Sequence, residues 1–413
     1  MSVERTRREE ILETAAGLLA SSGLRTSLKE IADACGILPG SLYHHFESKE
    51  ALVVELVERY HADLDNLAQR ARADRTAAQP ADPTGAIVAL GHEVAACARR
   101  HRAALLLTLY EPPSGSGDQL VQALRDLSPA IDRAMFETLR RAERAGVIRS
   151  GIDLETLADR LCQVLMHVSL FFEGVPGADD IPGLRCRALL DGLAVEPPND
   201  AALDRSAAFD AAQRTIDEWE KTDEAEDERL PMLRAVARAE FGRRGYEATT
   251  IRDIAATAGL STGSVYRLIG SKEELLTSIM RSFEDIAKSA WARVLKSDAT
   301  VVEKLDALMW VDINAVDRFS DEYNIQVAWL RESPPTTTNV PTAFMARMRD
   351  LKSLLAQGAR SGELQVEGPS ADIRAWSVFE LLWMPENIVR GLGPRGALTL
   401  ARETTLRGAA RRT

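Results

Sequence analysis

The sequence predicts an all-α chain built from two consecutive, similar units, and three observations predict it. The stretch "IADACGILPGSLYHHFESKE" (Ile31 to Glu50) returns as "IAATAGLSTGSVYRLIGSKE" (Ile254 to Glu273), 223 residues further along a chain of 413. A repeat at this scale governs the architecture before any single element does. Elsewhere apolar residues recur at helical spacing, and strong alternation of β-branched with polar residues, the mark of half-buried strands, is absent.

The elements follow in order. "RREEILETAAGLLASSG" carries Ile11, Ala15, Leu18 and Leu19 on one stripe and stops at Gly23. In the second copy Leu233, Ala237, Phe241 and Gly245 answer Ile11, Ala15, Leu19 and Gly23 at an offset of 222, so one extra residue falls in the following turn, where it costs least. "SLKEIADACG" begins after Thr26-Ser27, has Glu30 at capping-box spacing from Ser27, and stops at Gly36. "PGSLYHHF" opens on Pro39, a favoured first-turn residue. In the second copy Ser261 can cap the corresponding helix, whereas Leu38 cannot in the first. "SKEALVVELVERYHADLDNL" then begins a long fourth helix behind Ser48. Further on, "PAIDRAMFETLRRAERAGVI" and "TAFMARMRDLKSLLAQGARSGEL" end near Gly146 and Gly362, and each precedes a very apolar helix, "ETLADRLCQVLMHVSLFFEG" or "ADIRAWSVFELLWMPENIVRGL". The expected division is a first module at 1–50, a first helical body at 51–195, an acidic linker or linker helix at 196–228, a second module at 229–273 and a second body at 274–413.

The net charge of -11 hides a local pattern. Residues 195–228 hold twelve acids against three bases, while residues 229–273 hold eight bases against four acids. Total charge therefore says little about either module, and local patches decide. Four cysteines without paired metal spacing suit a reduced, cytoplasmic setting. The charged start "MSVERTRREE" has no apolar core, and no run of eighteen apolar residues argues for a membrane span. The six histidines form no metal-spaced cluster, "GSGDQL" lacks the lysine and hydroxyl of a phosphate loop, and no local triad stands out. The expectation is a protein that is not an enzyme and uses no cofactor or metal.

A short helix, a tight glycine turn and a second short helix make a helix-turn-helix, whose second helix fits a major groove about 12 Å wide. Both copies resemble the N-terminal domain of the TetR family of transcriptional regulators. The resemblance rests on an apolar stripe through a small-residue pair, then Gly, Thr-Thr or Thr-Ser, Ile-Ala, Ala-x-Gly, Gly-Ser-x-Tyr and Ser-Lys-Glu, over about fifty residues in each half. It implies two such units in tandem, each with an all-helical C-terminal body that binds an effector and dimerises. It also implies double-stranded DNA as partner, with hydroxyls of Thr26, Ser27, Thr249 and Thr250 near phosphates. Gly40-Ser41 and Gly263-Ser264 would open the recognition helices, while Tyr43, Tyr266, Lys49 and Lys272 would approach phosphates. The copies differ where bases should be read: His44-His45 in the first become Arg267-Leu268 in the second. Two outcomes stay open. The modules read different half-sites, or one is mainly structural.

All six tryptophans lie in the second half or its leading segment. Met309, Trp310, Trp329, Phe344, Met348, Trp376, Phe379 and Trp383 are the candidate walls of a pocket for a small apolar or aromatic effector. Tyr110, His101, Met135, His167 and Phe171 are weaker candidates in the first body. The apolar segments Leu157 to Phe172 and Ile373 to Val389 would pair the bodies, either within one chain as a pseudo-dimer or between two chains as a homodimer. The functional expectation is a repressor released by its effector, the alternative a ligand-sensing scaffold with degenerate readers.

Overall fold

The computed structural model describes residues 6–22, 26–73, 82–108, 116–125, 129–171, 177–222, 229–246, 249–331 and 340–411. These are helical, apart from turns and two isolated β-bridges, Ile148 with Ala410 and Ala194 with Leu364. The first half runs α1 (Arg7–Ser22), α2 (Leu28–Ala34), α3 (Pro39–Tyr43), α4 (Lys49–Ala73), α5 (Pro83–Arg100), α6 (Arg102–Leu107), α7 (Asp118–Arg125), α8 (Ala130–Arg144), α9 (Leu154–Phe171) and α10 (Ile181–Asp191). Two connecting helices follow, α11 (Asp200–Leu203) and α12 (Ala207–Thr222). The second half runs α13 (Arg229–Arg244), α14 (Ile251–Thr257), α15 (Thr262–Ile269), α16 (Lys272–Lys296), α17 (Val301–Arg318), α18 (Ser320–Arg331), α19 (Val340–Ser361), α20 (Ala371–Leu382) and α21 (Glu386–Ala401), and ends in a π-helical turn at Arg402–Leu406. The expected stop at Gly23 lies outside the described residues.

Each module packs the stripe the repeat anticipates. Ile11, Ala15 and Leu19 close over Ile31, Ala32, Leu42, Phe46 and Leu52, while Leu233, Ala237 and Phe241 close over Ile254, Val265, Ile269 and Leu275. The turns between α2 and α3 and between α14 and α15 need glycine. Gly36 and Gly259 both sit at φ 65°, in the left-handed region that L side chains avoid. The next amides, Ile37 and Leu260, then donate back to Ala32 O and Ala255 O at 3.0 and 2.9 Å. Long helices α4 and α16 lead from each module into its body.

The acidic connecting segment left helix and linker equally open, and the structure has a helix. Phe209, Ala212, Ile216 and Trp219 of α12 are buried at helical spacing in the core of the second body, against α16 and α17. Behind them Arg402 holds Asp306 through two 2.8 Å hydrogen bonds and Asp204 through a third at 2.8 Å.

The two bodies meet within the chain. Leu381 joins the core of the first half, and Ala95, Val168, Ile181 and Leu184 cluster with Ile373. Two arginines of the first body are fully buried in this junction. Arg160 donates to Thr404 Oγ1, to Leu381 O at 2.8 Å and to Thr405 Oγ1 at 2.9 Å. Arg185 donates to Val164 O and to Trp376 O at 3.4 Å, and lies 3.9 Å from Glu380. The C-terminal segment then returns to the first half: Ala409 and Ala410 amides donate to Leu189 O and Leu190 O at 2.9 and 2.7 Å, and the Arg411 amide to Val147 O at 2.7 Å. One expectation is corrected here. The segment Ile373 to Val389 is not a single helix, because Trp383 is extended at ψ 153° ahead of Pro385, and the second half meets the first through α20, Asn387 of α21 and the π-helical turn, largely against α10.

Candidate nucleic-acid interface

In each module the residues that could face a duplex sit on the turn and the short helix after it. Tyr43 is 56% exposed and Tyr266 50% exposed, in corresponding places. Ser41, His44 and Arg267 are exposed, His45 is half-buried, and Leu268 is exposed beside Arg267. A Cβ added to Gly40 or Gly263 would meet nothing within 4 Å, so both helix starts leave open space for a phosphate backbone.

The second helix of each motif begins with a complete capping box. Ser27 Oγ accepts from the Glu30 amide at 3.1 Å while Glu30 accepts from the Ser27 amide at 2.6 Å. Thr250 and Asp253 do the same at 3.2 and 2.9 Å. The hydrogen bonds from Ser27 hold the Glu30 carboxyl below the ordinary carboxylate range, and those from Thr250 do so for Asp253. The neighbouring threonines correct the sequence reading. Thr26 and Thr249 are buried, and their hydroxyls are committed inward: Thr26 to Leu18 O at 3.3 Å, Thr249 to Glu240 O at 3.1 Å and Gly245 O at 2.9 Å. They tie the turn to the first helix of their module and do not face a duplex.

The lysines have protein neighbours of their own. Lys49 is half-buried, and burial lowers its pKa, with Glu30 pulling in the opposite direction. Lys272 Nζ lies 4.0 Å from the centroid of the Tyr246 ring, a cation–π contact. In the first module Arg8 takes the aromatic role, 4.6 Å over Phe46, and pairs with Glu55.

The third helices differ as the capping residues dictate. α15 has eight residues, and Ser261 Oγ accepts from the Ser264 amide at 3.1 Å. Arg267 reaches Ser264 Oγ at 3.3 Å. α3 has five residues, and Leu38 at its N-cap makes no side-chain cap and stands 76% exposed. His44 therefore closes a single turn where the sequence suggested a helix continuing through His45 and Phe46. Thr262, exposed at the start of α15 three residues after the turn glycine Gly259, was not singled out by sequence.

The second body holds an aromatic cavity of about 40 Å3, lined by Phe344, Trp376, Phe379 and Trp383 from the sequence list. Trp219, Phe283 and Tyr323 complete its rings, and Asp312, Arg347 and Glu380 add charge. The Phe344 and Trp376 ring centroids are 5.5 Å apart and those of Tyr323 and Trp383 are 5.2 Å apart, so the walls lie nearly closed. Met309, Trp310 and Met348 are buried but line the ordinary core: Trp310 is stacked on Phe209 and donates to Gln213 at 2.9 Å. The side chain of Trp329 lies outside the described residues. Asp312 accepts from Trp291 Nε1 at 3.1 Å, and burial pushes its pKa up to about 6 against the opposing pull of Arg347.

In the first body, Met135 is core. His167 stands 3.4 Å from Glu380, and its ring is 5.6 Å from Trp383, at the junction of the bodies. Tyr110 and the Phe171 side chain lie outside the described residues. One potential metal group that sequence spacing missed is Asp63, Cys97 and His101, the last two one helical turn apart on α5 and its cap. His101 Nε2 lies 2.8 Å from Asp63 Oδ2, Arg100 lies 3.8 Å from the same oxygen, and burial raises the Cys97 thiol to about 11. A protonated thiol beside an arginine makes this a hydrogen-bonded pair rather than a built cation site. Among the described residues no helix is long and apolar enough to cross a membrane.

Two helix-turn-helix modules, each leading by a long helix into a helical body, define a tandem helix-turn-helix protein. The family model described as "Bacterial regulatory proteins, tetR family" matches residues 11–56 and again 233–279. The model of that family's N-terminal domain thus matches this chain twice, once at the head of each half. The HTH-type transcriptional repressor KstR2 of Rhodococcus jostii is 56% identical over 59 residues, which cover 14% of this chain and 29% of that protein. The regulator BetI of Rhizobium meliloti is 32% identical over 123 residues, covering 29% of this chain and 59% of that one. The chain thus spans less than a third of the first relative's length and under two thirds of the second's. The solved KstR2 of Mycobacterium tuberculosis is 24% identical, covers 46% of this chain and 98% of its own, and superposes with a TM-score of 0.39.

Proposed function

We propose that this chain is a sequence-specific DNA-binding transcriptional regulator, a repressor released by a small apolar effector, and that one chain supplies both readers of its operator. The observation that carries the reading is the joining of two unequal readers through one intrachain junction with Arg160 and Arg185 fully buried in it. A symmetric dimer reads a palindrome, whereas two different readers on one chain read two different half-sites. In the second reader Arg267 is the candidate for a guanine edge. In the first, Ser41, His44 and the half-buried His45 face the bases. Ser27, Thr250, Tyr43, Tyr266, Lys49 and Lys272 position the duplex through phosphates.

The effector acts through the second body. Tyr323 of α18 is a wall of the aromatic cavity, and the same helix carries Ile325 into the core of the second module and Glu322 to Arg238 of α13 at 3.1 Å. An occupant that parts the closed walls tilts α18 and changes the spacing of the readers. Coupling of about 1–3 kcal/mol changes operator affinity about 5- to 150-fold. The R. jostii relative's name, a repressor, favours occlusion of polymerase over activation.

The test is selection of bound fragments from genomic DNA followed by binding at several salt concentrations. Lys49→Gln or Lys272→Gln should weaken good and poor sites alike and flatten the salt dependence. Equal retention of shuffled and selected DNA sinks the reading. The single uncapped turn α3 favours a second reading, with a degenerate first reader, and recovery of one half-site alone would support it.

A further inference from the structure

Two side chains of the second body's cavity carry buried donors with no hydrogen-bond partner among the described residues. Arg347 is 7% exposed, and among the described residues neither its Nε nor its Nη2 has a hydrogen-bond partner. Its one described ion pair, Nη2 to Glu284 Oε1, is 3.6 Å long, beyond hydrogen-bond range. Trp383 is 8% exposed, and its indole Nε1 also has no hydrogen-bond partner among the described residues. Both side chains line the same aromatic cavity. Buried donors are almost always paired, so three such N–H groups on two cavity-lining side chains point to a partner that arrives from outside.

All three are donors, so the missing group is an acceptor. Charge decides which kind. Asp312 lines the cavity with its carboxyl pushed up by burial, and Glu380 and Glu284 stand near Arg347 and Arg185. Of the charged residues that line the cavity, two are acids, Asp312 and Glu380, and one is an arginine, Arg347. A second anion would add to an excess already present, and a cation would leave the donors unanswered. The remaining walls, Phe283, Tyr323, Phe344, Trp376 and Phe379, suit a flat or fused-ring body.

On the reading of this cavity as the effector site, we propose that its occupant is an uncharged, ring-containing molecule whose carbonyl oxygen accepts hydrogen bonds from Arg347 and Trp383. The cavity of about 40 Å3 is too small for such a molecule at rest, so binding separates the rings of Phe344 and Trp376. That separation is the same movement that would reach α18.

The experiment uses the full chain and four matched probes: 2-acetylnaphthalene, 2-ethylnaphthalene, 2-naphthoate and 2-naphthylmethylammonium. Binding is read by calorimetry and by tryptophan fluorescence. The ketone should bind at least about fivefold more tightly than the hydrocarbon, the value of one net buried hydrogen bond. Trp383→Phe, which loses the donor, should remove most of that advantage, read as the ratio of ketone to hydrocarbon affinity in the same variant. Arg347→Met should do the same, with thermal melting confirming the fold of both variants. Equal binding of ketone and hydrocarbon, or a Trp383→Phe variant that keeps the ketone's preference, overturns the carbonyl assignment and leaves an apolar effector site standing. Preference for the naphthoate or the ammonium probe replaces it with charge recognition. Failure of all four to bind overturns both the assignment and the effector-site reading.

Discussion

Replacing Arg160 tests the junction of the two bodies where opposing terms can be weighed. The guanidinium is fully buried, and among the described residues no carboxylate pairs with it. Burial lowers its pKa from 12.5 to about 9, so it stays charged at neutral pH at a desolvation cost of about 5 kcal/mol at 1.36 kcal/mol per unit. Against this stand its hydrogen bonds to Thr404, Thr405 and Leu381 O, each worth about 1.5–3 kcal/mol from a charged donor. The two terms nearly cancel. Arg160→Met removes both and leaves no orphaned hydroxyl, since Thr404 also donates to Leu400 O at 2.6 Å and Thr405 to Leu381 O at 3.4 Å. It should lie within about 2 kcal/mol of the parent. Arg160→Ala adds a void and should cost about 2–5 kcal/mol more. Urea unfolding followed by tryptophan fluorescence, which reports the second half, and by far-ultraviolet circular dichroism separates these outcomes. Arg160→Ala should lower the fluorescence midpoint and part the two curves. An unchanged midpoint, or a Met variant as damaged as the Ala variant, refutes the reasoning.

Other perturbations act on single features. Ser261→Ala removes the cap of α15, worth about 1 kcal/mol, and should weaken contact with one operator half while sparing the other; footprinting that shows equal loss in both halves contradicts it. Gly192→Ala places a Cβ 2.5 Å from Arg407 C and Gly408 N at a φ of 78°, and should lower the thermal midpoint sharply. Gly408→Ala, 2.3 Å from Asp191 C, should match it, and an unchanged midpoint for either speaks against the close crossing. Asp312 has a folded pKa raised from 3.8 to about 6. Its contribution is thus fully present below about pH 4 and lost as pH rises through about 6, where the buried carboxyl ionises. The difference in urea midpoint between the parent and Asp312→Asn should change across that window and be flat outside it.

Much of this was legible in the sequence because it is local. The capping box at Ser27 and Glu30, the turn glycines Gly36 and Gly259, and the contrast between Ser261 and Leu38 follow from backbone geometry within a few residues. The burial of Thr26 and Thr249 was not legible, since a threonine beside a capping residue reads the same whether its hydroxyl faces a duplex or the preceding helix. The pocket was half legible. Aromatic residues at helical spacing named Phe344, Trp376, Phe379 and Trp383, but the same spacing also named Trp310, which is core. Arg347 was missed because a charged residue on a helix is ordinarily solvated, although its place three residues after Phe344, on the apolar stripe, was the clue. The meeting of the two bodies within the chain runs through contacts more than 200 residues apart, such as Arg160 with Leu381, which no local pattern encodes.

The measurement that bears most directly on the central claim is the stoichiometry of the chain on its selected operator, by native mass spectrometry or sedimentation, with the operator's two halves sequenced from the same selection. One chain per operator, on two dissimilar half-sites, is the predicted result. Two chains on a perfect inverted repeat would contradict it.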